Sequence, residues 1–261
     1  MKYAFTYYLI NLKKRNIILL LLLVCNTTAF AQEKSSATSN QLWFDYNPGI
    51  QLKEGLKLYT PVGYRTIFPK RWNRFYVDPY ITYDWPRMIL KKLRYKEQLL
   101  GGLGIFYTIN NNVSNGLEFR PFQGYSLTAP NRLRLGIKHY FKLEERFELQ
   151  TSDWSNTFGL RLRYTASATI KFQGDVWEYA KGLYVPVGAE FFWNLKGTKQ
   201  FNDNLRVTIG LGRKFSDAWK AAFSVGYNYT RSSINEDFHT NNIIFRLRVY
   251  HMPKQKNKVI Q

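Results

Sequence analysis

The sequence predicts an all-β chain folded as a single up-and-down antiparallel transmembrane β-barrel, and three observations predict it. Apolar side chains recur at every second residue through most of the chain, and no stretch keeps the three-to-four repeat of an amphipathic helix. The alternating ribbons are long. Residues 158 to 172 would extend roughly 50 Å at ~3.3 Å per residue, against about 17–20 Å for a strand of a globular protein. Even tilted, such a ribbon clears an apolar band about 25 Å tall. Finally, the polar parity carries Gly, Thr, Arg, Glu and Asn, as a hydrated lumen would. The apolar parity places Trp85, Trp193 and Trp219 near ribbon ends, where amphipathic rings settle at a headgroup layer.

Residues 1–31 read as a cleaved secretory signal. Lys2, Lys13, Lys14 and Arg15 precede an apolar run from Ile17 to Val24, and Ala29-Phe30-Ala31 supplies the small-x-small cleavage pattern. The apolar run is too short to span a bilayer. Residues 32–40 form a polar, flexible leader, 41–251 the barrel and 252–261 a polar C-terminal tail. Cleavage after Ala31 removes Cys25, the one cysteine, which excludes a disulfide or a thiolate metal site. It also removes four basic and no acidic residues from a chain holding 38 and 18, leaving a net charge of +16.

The first ribbon is opened by Leu42, Phe44 and Tyr46 on the apolar parity, and the second carries Leu56, Leu58, Val62 and Tyr64 opposite Lys57 and Arg65. Phe75, Val77, Ile81, Tyr83 and Trp85 make the third, and Leu103, Ile105, Tyr107 and Ile109 the fourth. Leu117 and Phe119 follow, then a long ribbon from Leu133 to Leu149, then the ribbon of residues 158 to 172. Val185 to Trp193, Leu205 to Leu211, Trp219 to Tyr229 and Phe245 to Val249 complete the series. Between them lie "INNNVSNG", "LKGTKQFNDN" and "RSSINEDFHT", whose Asn, Gly, Ser and Asp suit hairpin turns. The count is eleven. Bacterial single-chain barrels have even strand numbers, so the expectation is twelve strands, with ten as the alternative.

The polar parity defines an expected lumenal charge set: Glu118, Arg120, Arg132, Arg134, Lys138, Glu144, Arg146, Glu148, Arg161, Arg163, Glu190, Arg206, Arg246 and Arg248. Glu144, Arg146 and Glu148 precede Arg161 and Arg163 by one hairpin, so cross-strand carboxylate–guanidinium pairs are within reach. Such pairs brace and fill a narrow barrel. The basic surplus equally suits a passage or binding site for small anions, and basic residues at the rims suit anionic headgroups.

Three histidines bound any hydrolytic chemistry. His139 lies on the apolar parity and His251 follows the last ribbon. Asp237-Phe238-His239 offers a carboxylate and an imidazole that could activate water, inside a segment that also reads as a polar turn. There is no phosphate-cradling Gly loop, no metal-ligand cluster and no nucleic-acid module, so neither a cofactor nor a nucleic-acid partner is expected.

"QLWFDYNP", "GYR" at 63–65, "LEFRPFQG", "HYFKLEERFEL" and "LRLRY" resemble an uncharacterised outer-membrane family known as domain of unknown function 2490. Glu144, Arg146, Arg161 and Arg163 match its Glu-x-Arg and Arg-x-Arg positions. The resemblance implies a Gram-negative outer-membrane barrel and no assigned activity. The expected function is a structural barrel or a passive, porin-like, anion-favouring pore or binding barrel in contact with outer-membrane lipid. The alternatives are a barrel hydrolase, protease or lipid-modifying, and a soluble periplasmic β-barrel binding protein.

Overall fold

The computed structural model describes residues 39–68, 72–85, 89, 95–110, 114–129, 135–172, 182–196, 204–230 and 242–253. The expected signal and most of the leader lie outside the described residues, as do Arg132, Arg134, Asp237 and His239.

Among the described residues thirteen strands follow one another: β1 (Ser39–Lys53), β2 (Leu56–Tyr59), β3 (Val62–Phe68), β4 (Trp72–Val77), β5 (Tyr80–Asp84), β6 (Lys96–Asn110), β7 (Gly116–Thr128), β8 (Leu135–Gln150), β9 (Asn156–Lys171), β10 (Leu183–Lys196), β11 (Asn204–Lys214), β12 (Trp219–Thr230) and β13 (Asn242–His251). β2 and β3 are two halves of one barrel strand, since both pair with β1; β4 and β5 likewise share β6. The barrel therefore has eleven strands. Both interruptions fall at a proline, Pro61 and Pro79, which has no N–H to give the ladder. They lie side by side, with Asp78 N donating to Pro61 O at 2.8 Å and Leu103 N to Pro79 O at 3.0 Å. Gly102 permits the second approach, because a Cβ there would stand 2.4 Å from the Pro79 carbonyl oxygen.

Twelve strands, and ten, are thus incorrect, and so is a wholly antiparallel sheet. Eleven ribbons in a meander leave the first and last running the same way. Closure is then parallel: β1 lies beside β13 from Ser39↔Asn242 to Pro48↔His251. One parallel seam closes an odd-numbered meander as completely as an antiparallel one, because every edge group still finds a ladder partner. The alternation itself counted correctly; the even-number rule displaced it.

The strands are strongly staggered. Neighbours in register lead from Lys53 through Leu56, Tyr83, Leu99, Tyr125, Phe141, Tyr164, Phe191 and Leu205 to Tyr229, close to the far end of β12. Such stagger tilts the strands and sets the barrel's width. The starts of β1 and β13 lie at one rim, termed the N-terminal rim. The end of β13 and the Lys53–Leu56 turn lie at the other, the C-terminal rim.

Alternation assigns the two faces. Leu42, Phe44, Phe75, Phe141, Phe147, Ile209, Leu211 and Phe223 are exposed on the outside, where rings form cross-strand ladders such as Phe141–Tyr164 at 4.9 Å and Phe147–Phe158 at 5.1 Å between centroids. The buried set is instead dominated by polar and charged groups, among them Asp45, Glu118, Lys142, Glu144, Arg146 and Arg161. This inverts the usual distribution of a globular protein, where ionised side chains are almost never fully buried unless paired.

Candidate functional site: the charged barrel interior

Lumen-facing positions on β7, β8 and β9 build the central network. Glu118 accepts from Arg120 Nε at 2.8 Å and from Arg146 Nε at 2.7 Å. Arg146 also pairs with Glu148 along its own strand. Glu144 accepts from Arg161 Nε at 2.7 Å and pairs with Lys142 Nζ at 3.2 Å, with Arg163 at 3.9 Å beyond. The register explains these pairs: Glu144 stands opposite Arg161, and Lys142 opposite Arg163. Glu144 and Arg146 are fully buried, so each charge depends on its partners in place of water.

A second group forms at the parallel seam. Asp45 on β1, also fully buried, accepts from Tyr76 Oη at 2.5 Å and from Arg246 on β13. Arg248 Nε lies 3.7 Å from the same carboxylate. Glu190 on β10 accepts from Arg206 on β11 at 2.8 Å.

Aromatic rings fill the space between these groups. The Trp43 indole has the guanidiniums of Arg65, Arg206 and Arg246 at 4.1, 4.8 and 5.1 Å from its centroid. Arg120 lies 4.0 Å over Phe106 and Lys142 3.4 Å over Phe122. Arg161 and Arg206 both face Phe192, at 5.2 and 5.0 Å. Cations held against ring faces gain electrostatic attraction that strengthens as water is removed. The interior waist is therefore packed with side chains.

The two mouths differ. Toward the N-terminal rim a cavity of about 470 Å³ is lined by Trp72, Arg74, Thr108, Ser114, Glu148 and Gln150, with Glu118 at its floor. Toward the C-terminal rim the inward positions carry Lys138, Lys220, Arg248, Tyr184 and Tyr250.

Twelve of the fourteen expected lumenal residues lie among the described ones. Eleven of them enter the ion pairs above, distributed among the central network, the seam and the Glu190–Arg206 pair; Lys138 stands apart at the C-terminal mouth. Asp45, Arg65, Arg74 and the interior rings Trp43, Tyr76, Phe106, Phe122 and Phe192 were not anticipated as a set. Their signal was present, since Trp43 and Asp45 occupy the polar parity between Leu42, Phe44 and Tyr46. A large ring on that parity reads as an exception until its cationic neighbours are known. His139 lies on the outer face, its Nδ1 2.8 Å from Tyr164 Oη, and His251 stacks on Trp219 at 3.9 Å. Among the described residues no group of three metal-ligating side chains converges.

The family described as a protein of unknown function (DUF2490) matches residues 40–239. That span begins within β1 and ends before β13. No curated protein matches the chain.

Proposed function

The chain belongs to the DUF2490 family of unknown function, and from that premise we propose that it is an integral outer-membrane β-barrel with a closed waist, acting as a structural or ligand-binding barrel. One observation carries the reading: large apolar side chains cover the outside while paired charges fill the inside. Water opposes that arrangement and hydrocarbon favours it. Each fully exposed Leu or Phe forgoes about 1.5–3 kcal/mol of burial in water, a loss that acyl chains remove. The N-terminal segment supports export, with signal cleavage after Ala31 and outer-membrane lipid as the immediate partner.

The packed waist favours binding over conduction. A basic surplus alone would suit an anion-favouring pore, but an open path requires the buried Glu118–Arg146 and Glu144–Arg161 pairs to separate, and breaking a buried pair is costly. No catalytic step is part of this reading.

The test is reconstitution of residues 32–261. The expected protein is a detergent-dependent monomer that inserts into liposomes and carries no current above the bare planar bilayer. Steady conductance of either selectivity would overturn the closed waist. A folded monomer in detergent-free buffer would overturn the membrane assignment.

A further inference from the structure

The C-terminal mouth holds two lysines, Lys138 and Lys220, that have no carboxylate within ion-pair distance among the described residues. Lys220 at the start of β12 places Nζ 4.3 Å from the Tyr250 ring centroid, its partner in register on β13. Arg248, two residues away on the same face, donates from Nη1 to Tyr250 Oη at 2.9 Å. Lys138 stands near the start of β8, on its inward parity and at the same rim, across the lumen from β12 and β13. Tyr184 of β10 closes the group, its hydroxyl donating to the Ala221 carbonyl beside Lys220 at 3.3 Å.

Among the described residues, neither Lys138 nor Lys220 has a carboxylate within ion-pair distance. Arg248 lies 3.7 Å from the same Asp45 oxygen that Arg246 engages more closely. This contrasts with the waist, where each described acid has a base within ion-pair distance. Like charges gathered at one mouth repel unless an anion joins them, and a mouth closed below by the waist concentrates that field.

We propose that this mouth is a binding site for a phosphoryl group, held by Lys138, Lys220 and Arg248 with Tyr184 and Tyr250 as flanking hydroxyls. A phosphoryl group carries close to two negative charges and three acceptor oxygens, which suits three cations arriving from three strands better than a carboxylate does. The proposal rests on the closed-waist reading, because a through-passage would make these residues a transit point. The oxygens can come from free phosphate or from a phosphate-bearing lipid headgroup at the rim, and the chemistry of recognition is shared.

The experiment is titration calorimetry on the refolded barrel in neutral detergent, first with inorganic phosphate and then with short-chain phosphatidic acid in mixed micelles. Saturable binding of either is expected: phosphatidic acid alone points to a headgroup, and both together to the phosphoryl group itself. Lys138→Gln combined with Lys220→Gln should weaken binding by about tenfold or more, the loss of two charge-assisted contacts. Arg213→Gln, on the outward parity at the same rim, should leave it unchanged. No binding by a correctly refolded barrel, or equal binding by the double variant, overturns the site. Because calorimetry in detergent does not depend on conductance, that failure would be distinguishable from an open waist.

Discussion

Glu144 is the residue on which the waist depends most. It pairs with Arg161, Lys142 and Arg163, of which only Lys142 has a second carboxylate in reach among the described residues, Asp78 at 4.0 Å, and it is fully buried. Glu144→Gln keeps the shape and removes the charge, leaving Arg161 and Arg163 without their carboxylate at a buried site. A loss of about 3–5 kcal/mol is expected, read as an earlier urea midpoint by tryptophan fluorescence in detergent. Glu148→Gln should cost only about 1 kcal/mol, because Arg146 keeps Glu118. Equal costs would show that the network does not concentrate on Glu144. Trp43 plays the complementary part for the seam. Trp43→Ala removes the ring shared by Arg65, Arg206 and Arg246 and opens a void, so about 3–5 kcal/mol should be lost in the same assay. Trp43→Phe keeps a ring face and should retain most of that stability.

At the scale of elements, two features of local backbone carry consequences. The β8–β9 turn places Trp154 at a φ of 54°, a left-handed conformation that a bulky side chain adopts only at a cost. Trp154 is 65% exposed and has little packing to repay that cost. Trp154→Gly should therefore stabilise the barrel by about 1 kcal/mol, seen as a later urea midpoint; a destabilised variant would mean the indole packs against something at that rim. In the same turn Asp153 accepts from both the N–H and the hydroxyl of Ser155, which holds its carboxyl below the usual range. The paired interruptions at Pro61 and Pro79 form the second feature. Gly102→Ala drives a methyl group against the Pro79 carbonyl, and about 1–3 kcal/mol should be lost. Since the clash is with backbone, trimming the neighbouring Phe122 should not rescue it.

For the whole molecule, closure is the central physical fact. β13 supplies both the parallel partner of β1 and the guanidinium that reaches Asp45. Ending the chain before Asn242 would expose two unpaired edges and strand a buried carboxylate. That variant should fail to form a folded monomer in detergent, judged by gel filtration and by loss of heat-dependent migration on gels. A folded monomer would show that ten strands can reclose without the seam.

The alternation of apolar and polar residues was legible throughout the chain because side-chain direction in a strand depends only on position along it. That period located eleven ribbons, separated their faces, put Glu118 on the inward face and placed Glu144, Arg146 and Glu148 one hairpin from Arg161 and Arg163. It did not reveal that β1 and β13 meet. Asp45 and Arg246 become partners only when the stagger of the whole sheet brings its ends together, and stagger is a sum over every pairing rather than a property of any segment. The rings on the polar parity were obscure for the same reason: Trp43 belongs inside because cations from β3, β11 and β13 converge on it. The sequence by itself determined which side of each ribbon is oily and which is ionised, since that is local. The tertiary structure decided the parallel closure, the packing of charges and rings at the waist and the cationic mouth, since these depend on residues far apart in the chain sharing one lumen.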